Sequence, residues 1–112
     1  MSKDTLNKLK AFREAAFADL IEIPVPEIEE TWYASTTMSL RDYRRINAIP
    51  AGIDWSLETV LVLAKTADGK RLFTDANKAD LEAIPPGLIT RVAREIWEHL
   101  KTPNAEESEK KS

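Results

Sequence analysis

The run Leu57-Glu58-Thr59-Val60-Leu61-Val62-Leu63-Ala64 decides the fold, because it reads two ways. Leu57, Val60, Leu61 and Ala64 fall at the three- and four-residue spacing of one helix face, whereas the β-branched content suits a buried strand. A strand here would build the centre of the molecule from sheet; a helix would make the chain mainly α. Asp54 and Ser56 stand just ahead of the run, and either side chain can cap a helix N-terminus. These caps favour the helix.

The flanks on the C-terminal side agree with a helical chain. Asp68-Gly69 is a tight-turn signal, and Leu72-Phe73 inserts apolar bulk after it. Thr74 can cap a short helix over 75–83, which Pro85 and Pro86 stop. Pro86 then suits the first turn of a closing helix, since its missing N–H would have no partner there. In that helix Leu88, Val92, Ile96 and Leu100 repeat every four residues, and Ile89, Ala93 and Trp97 widen the apolar stripe. Residues 102–112 hold Pro103, three glutamates, two lysines and no large apolar side chain, which predicts a flexible charged tail.

On the N-terminal side, Ser39 opens a helix with Asp42 three residues on, a weak variant of the capping box. Leu40, Tyr43 and Ile46 predict its inner side and Arg41, Arg44 and Arg45 its outer side; Asn47, Pro50 and Gly52 end it. Further back, Leu20-Ile21-Glu22-Ile23, closed by Pro24 and Pro26, reads as an edge strand or arm. Thr31–Thr37 is rich in β-branched and aromatic residues and can pair with it as a hairpin across Glu27-Ile28-Glu29-Glu30. At the start, Ser2 caps a helix whose Leu6, Leu9, Phe12, Ala16 and Phe17 form one stripe, expected to pack against the rest of the domain. The fold expected is therefore mainly α (α+β): a small helical domain over 1–101, a short β-hairpin or two-stranded arm near the N-terminal third, and the tail.

With 112 residues and no cysteine, the chain has the size of one domain and neither disulfides nor thiolate chemistry. Ser2, Lys3 and Asp4 lead into an amphipathic run without the apolar core of a signal peptide, and no apolar stretch is long enough to cross a bilayer. A soluble, cytosolic protein with no membrane partner is expected. The net charge of −3 argues against nucleic acid as a partner. Its distribution is more telling: from Glu14 to Leu40 there is no Lys or Arg, while Glu14, Asp19, Glu22, Glu27, Glu29 and Glu30 all fall there. Arg41, Arg44 and Arg45 follow as a basic cluster. Opposite patches of this kind suit recognition of a basic surface or self-association, or else simply a solvated loop.

Reactive chemistry is hard to assemble from this sequence. His99 is the sole histidine and lies near a helix C-terminus, where the macrodipole favours its cationic form. Asp19 with Glu22, or Glu27 with Glu29 and Glu30, do not match a calcium loop, and Gly52, Gly69 and Gly87 are too isolated to cradle phosphate. The expectation is no enzyme, no cofactor and no metal. Trp32 and Tyr33 are adjacent, so in a strand they point to opposite faces. Trp55 sits in a Gly/Pro-bounded loop. Each of these rings is either an interface anchor or a core plug.

The segment Leu61-Val62-Leu63-Ala64-Lys65-Thr66-Ala67-Asp68-Gly69-Lys70-Arg71-Leu72-Phe73-Thr74-Asp75 resembles the tail assembly chaperones of long, non-contractile-tailed bacteriophages. The Ile23-Pro24-Val25-Pro26 arm, the 31–37 segment, the Ser39-Leu40-Arg41-Asp42 helix start and the 88–100 helix follow in the order of that family, so the resemblance spans roughly residues 20 to 101. Pro85-Pro86-Gly87 and the arginine-rich second helix depart from the common pattern. The resemblance implies a protein of the host cytoplasm, absent from the finished virion, that binds the tape-measure protein and recruits tail-tube subunits. It further implies a homo-oligomer, as a spiral or ring, and a longer frameshifted form. Trp32, Tyr33, Trp55, Glu27, Glu29, Glu30, Arg41, Arg44 and Arg45 are the candidate protein-binding or self-association residues, the acids of one copy meeting the arginines of the next. A small phage-encoded inhibitor acting through the acidic face is the alternative.

Overall fold

The deciding run is a helix. The computed structural model describes residues 2–101, and in it helix α3 spans Ile53–Leu63 with every residue from Ser56 to Leu63 buried. A helix that is apolar nearly all round must lie at the centre of its domain. The caps expected from sequence are corrected: the helix starts one turn earlier, with Gly52 as N-cap, and Asp54 lies inside the first turn. Gly52 has φ 151°, a conformation that side chains rarely adopt, so the chain can turn into the helix at glycine without an Asp or Ser cap.

The other elements wrap this axis. Helix α1 is Lys3–Phe17; β1 (Leu20–Val25) and β2 (Glu30–Ser35) form an antiparallel hairpin; α2 is Leu40–Asn47. After α3 come a 3-10 turn at Asp75–Asn77, α4 (Lys78–Glu82) and α5 (Pro86–His99). The mainly α architecture with one hairpin near the N-terminal third is therefore the one observed. The tail over 102–112 lies outside the described residues.

The α5 stripe is the second half of the core. Ile89, Val92, Ala93, Ile96 and Leu100 are buried against α3, with Leu88 and Trp97 at the margin. Pro86 occupies the first turn, as its missing donor allows. One face of the hairpin closes the core with Ile23, Val25, Trp32 and Ala34, Ile23 facing Trp32 and Ile21 facing Ala34 in the pairing register. Strand β1 runs through Pro24 instead of stopping before it. β1 is an edge strand, so the missing N–H costs no ladder bond there. The Pro24 carbonyl accepts from Arg91 Nη1 on α5 at 3.1 Å.

The other edge of β2 extends the sheet by single bridges: Tyr33 exchanges backbone hydrogen bonds with Lys65, and Lys65 bridges Arg71 across the Asp68-Gly69 turn. The tight turn expected at Asp68-Gly69 is present, and Gly69 takes φ 82° in it, a left-handed geometry that suits glycine. Thr74 N–H donates to Asn77 Oδ1 at 2.8 Å and fixes the start of the short helical stretch, which is a 3-10 turn running into α4.

Two helices sit differently from expectation. In α2 only Ile46 is buried, while Leu40 and Tyr43, read as inner residues, are exposed. The helix is rotated so that Arg45 faces inward and binds Glu58 of α3 and Asp75 (2.8 Å). α1 departs further. None of its residues is buried; Leu6 and Leu9 are each 51% exposed and Phe12 73%. Of the stripe expected to pack on the domain, Leu6, Leu9 and Phe12 stand clear of it, and only Ala16 and Phe17 at its end are half-buried.

Candidate protein-binding surfaces

The sequence placed the acidic stretch and the arginine cluster on opposing patches, but the folded chain has already used part of each. Glu58 is buried on α3, and an unpaired carboxylate there would be costly, so Arg45 is held internally. Asp75 carries hydrogen bonds from Arg45 and from Arg71 (3.3 Å), and these hold its carboxyl below the ordinary range. The Arg45 guanidinium is pushed up in turn, first by Asp75 and then by Glu58. Arg45 is thus withdrawn from the candidate surface, whereas Arg41 and Arg44 stay exposed.

Glu27 is withdrawn in the same way. Arg91 of α5 grips both its oxygens, at 2.7 and 3.0 Å, while also binding Glu95 at 2.9 Å. A backbone hydrogen bond first, and the Arg91 fork second, lower the pKa of Glu27. Glu30 accepts from the Trp32 indole at 2.9 Å. Glu22 and Glu29 remain exposed on the outer side of the hairpin and at its tip. The tip is a 3-10 turn, Pro26–Ile28, closed by Glu29 at φ 56°, and it leaves Ile28 51% exposed.

The aromatic candidates divide by face. Trp32 and Tyr33 do point to opposite sides of β2: Trp32 is 5% exposed and meets Phe73 edge-on at 5.3 Å, so it serves the core. Its reading as a surface anchor is corrected. Tyr33 is half-buried on the outer face. Trp55 lies in the first turn of α3, not in a loop, and stacks on Trp97 of α5 with centroids 4.9 Å apart. Trp97 Nε1 donates to Thr59 Oγ1 at 2.9 Å, and that hydroxyl donates to the Trp55 carbonyl at 2.9 Å. The stacked pair floors a shallow, largely apolar cleft of about 380 Å³, rimmed by Thr90, Arg94 and Glu98.

A second, polar cleft of about 360 Å³ lies between the end of α1 and the start of α2, lined by Phe17, Ser35, Ser39, Arg41, Asp42 and Lys65. Burial lowers the Lys65 pKa; Asp42 opposes the shift and Arg71 adds to it. His99 is exposed, with Nδ1 at 2.9 Å from the Glu95 carbonyl. Among the described residues no group of three or more His, Asp or Glu side chains is placed to hold a metal ion, and no helix is long and apolar enough to cross a membrane.

The surface residues that sequence reasoning missed are Leu6, Leu9 and Phe12, which it assigned to packing. One signal was present: Lys8 and Lys10 flank that stripe and Arg13 interrupts it, as on a helix that meets an acidic or interfacial surface. The chain matches no family model, no curated protein and no solved structure.

Proposed function

We propose that this chain is a non-enzymatic assembly chaperone of a bacteriophage tail, which acts in the host cytoplasm, binds the tape-measure protein and recruits tail-tube subunits. The observation that carries the reading is the apolar surface displayed around a core that is already closed. Leu6, Leu9 and Phe12 on α1, Ile28 at the hairpin tip, Leu40 on α2 and Ile53 on α3 all stand more than half exposed. Of these, Leu6, Leu9 and Phe12 share one side of α1, and an exposed apolar stripe of that kind suits a partner that is itself long and apolar. A tape-measure chain displays such stripes along a helical rod and aggregates until they are covered. Many weak carriers on one rod would hold it by avidity. The resemblance of residues 20 to 101 to tail assembly chaperones supplies the identity of the partner.

Co-expression tests this directly. The chain should raise the soluble fraction of the tape-measure protein made from the same phage genome, and the two should co-purify. An unchanged soluble fraction would sink the proposal. The exposed Glu22 on the outer side of the hairpin and Glu29 at its tip favour one other reading, an inhibitor that mimics an acidic ligand. Such an inhibitor would leave tape-measure solubility untouched.

A further inference from the structure

Helix α1 and the hairpin that follows it carry opposite charge and are both incompletely covered. α1 holds four basic residues (Lys3, Lys8, Lys10, Arg13) against two acidic ones, and the chain from Asp19 to Thr37 holds five acidic residues and no basic one. On the helical wheel Leu6, Leu9 and Phe12 share one side, Lys8 and Lys10 border it, and Asp4 and Glu14 lie behind. The hairpin tip has the complementary layout, with an exposed Ile28 between Glu27, Glu29 and Glu30. In its own copy α1 leads directly into β1, yet its apolar side is left uncovered by the domain.

We infer that the apolar, basic side of α1 docks on the acidic hairpin of a second copy of this chain. Apolar contact between Leu9 or Phe12 and Ile28 supplies the centre, and Lys8, Lys10 and Arg13 face the free carboxylates of Glu22 and Glu29 around it. This assignment takes the place of Arg45, which is spent on Glu58 and Asp75, as a partner of the acidic stretch; Arg41 and Arg44 stay exposed beside it. A membrane surface is the other place a basic amphipathic helix goes. Anionic lipid is disfavoured by the five acidic residues that begin two positions after α1 ends, and by the overall charge of −3. One helix of about 22 Å covers less than the roughly 800 Å² per partner of a durable complex, so the contact is weak, reversible and sensitive to salt. Because α1 and the hairpin are different patches, a head-to-tail contact either closes into a ring or runs on as an open helix.

This deepens the proposed function by naming the contact between carrier copies, yet it is read on the purified chain alone. Analytical ultracentrifugation of the full chain should show a mean mass that rises with concentration and falls as salt is added. Leu9→Asp with Phe12→Asp should return it to one chain with the circular dichroism of the core unchanged, since neither side chain is buried. The sharper test is charge exchange. Lys8→Glu/Lys10→Glu/Arg13→Glu and Glu22→Lys/Glu29→Lys should each lose self-association, and mixing the two should restore it. A wild-type chain that stays single at all concentrations overturns the inference, as does a mixture that fails to associate. So does binding to phosphatidylglycerol vesicles that Leu9→Asp/Phe12→Asp abolishes while self-association persists. If association holds but tape-measure solubility does not change, the chaperone reading falls and this contact stands.

Discussion

Glu58 lies within the most buried helix of the chain, and its position explains why α2 is turned as it is. The Glu58 side chain is 9% exposed, and Arg45 reaches its carboxylate from α2 while also holding Asp75. Removing the cation alone leaves a buried charge, whereas removing both ends leaves none. Arg45→Met should therefore cost about 3 kcal/mol of unfolding free energy. Arg45→Met with Glu58→Leu should recover most of that loss, as read by urea denaturation. The acid side of the pH profile follows from the same pairs. Asp75 and Glu27 have folded pKa values below their unfolded ones, held down by Arg45 and Arg71 and by a backbone bond and Arg91. Such a group adds stability above its unfolded pKa near 4 and loses it as pH falls towards the folded value, because the unfolded chain then binds more protons. Stability should accordingly decline below about pH 4. Arg91→Met should shrink the Glu27 part of that decline through a small loss of stability at neutral pH, small because Glu27 is half exposed and its backbone bond remains.

At the scale of elements, what the sequence made legible was amphipathic or apolar character, and what it hid was orientation. α5 was readable because seven apolar residues at helical spacing leave one choice of inner face. α3 was readable as a helix from its spacing, and its burial on all sides follows from having apolar residues on every face. The hairpin was readable from its β-branched run and prolines. α2 was not readable in rotation, because the residues that turn Arg45 inward lie 13 and 30 positions away. α1 was not readable in contact: periodicity reports a stripe and is silent on what covers it. The exposed state of α1 has a dynamic consequence. A helix of 15 residues without tertiary packing is marginal in water, and here one cap, Ser2 Oγ accepting from Thr5 N–H at 3.1 Å, adds only local support. In hydrogen exchange at low concentration, α1 amides should exchange orders of magnitude faster than those of α3 and α5, which should open only with global unfolding. Equal protection along α1 and α5 would show that α1 is packed after all. Raising the concentration should slow α1 selectively, since a docked helix gains the cover that its own domain does not give.

At the scale of the whole molecule, the ends of three elements are tied at Thr36. Its N–H donates to the Asp19 carbonyl at 3.0 Å and its hydroxyl to the Asp19 carboxylate at 3.0 Å; its carbonyl accepts from Lys101 N–H at 2.7 Å, and Lys101 Nζ lies 3.6 Å from the same carboxylate. The start of the hairpin, its far end and the exit of α5 thus meet at one buried residue, closing a loop of 82 positions from Asp19 to Lys101. This knot fixes how the sheet lies across α5, which the apolar contacts alone would leave free to slide. Arg91 repeats the link from the other end of the hairpin, through Pro24 and Glu27. The Lys101 N–H is the separable part. Leu100 is already extended (φ −72°, ψ 131°), as a residue before proline must be, so Lys101→Pro removes the donor without opposing the backbone that precedes it. Compared with Lys101→Ala, which keeps the N–H, Lys101→Pro should be less stable by about 1 kcal/mol. The difference should appear in urea midpoints with the slope of the transition unchanged. Equal midpoints for the two variants would mean that the hairpin is held by its apolar face and Arg91 alone. In that case the Thr36 carbonyl would have to find water as readily as it finds Lys101.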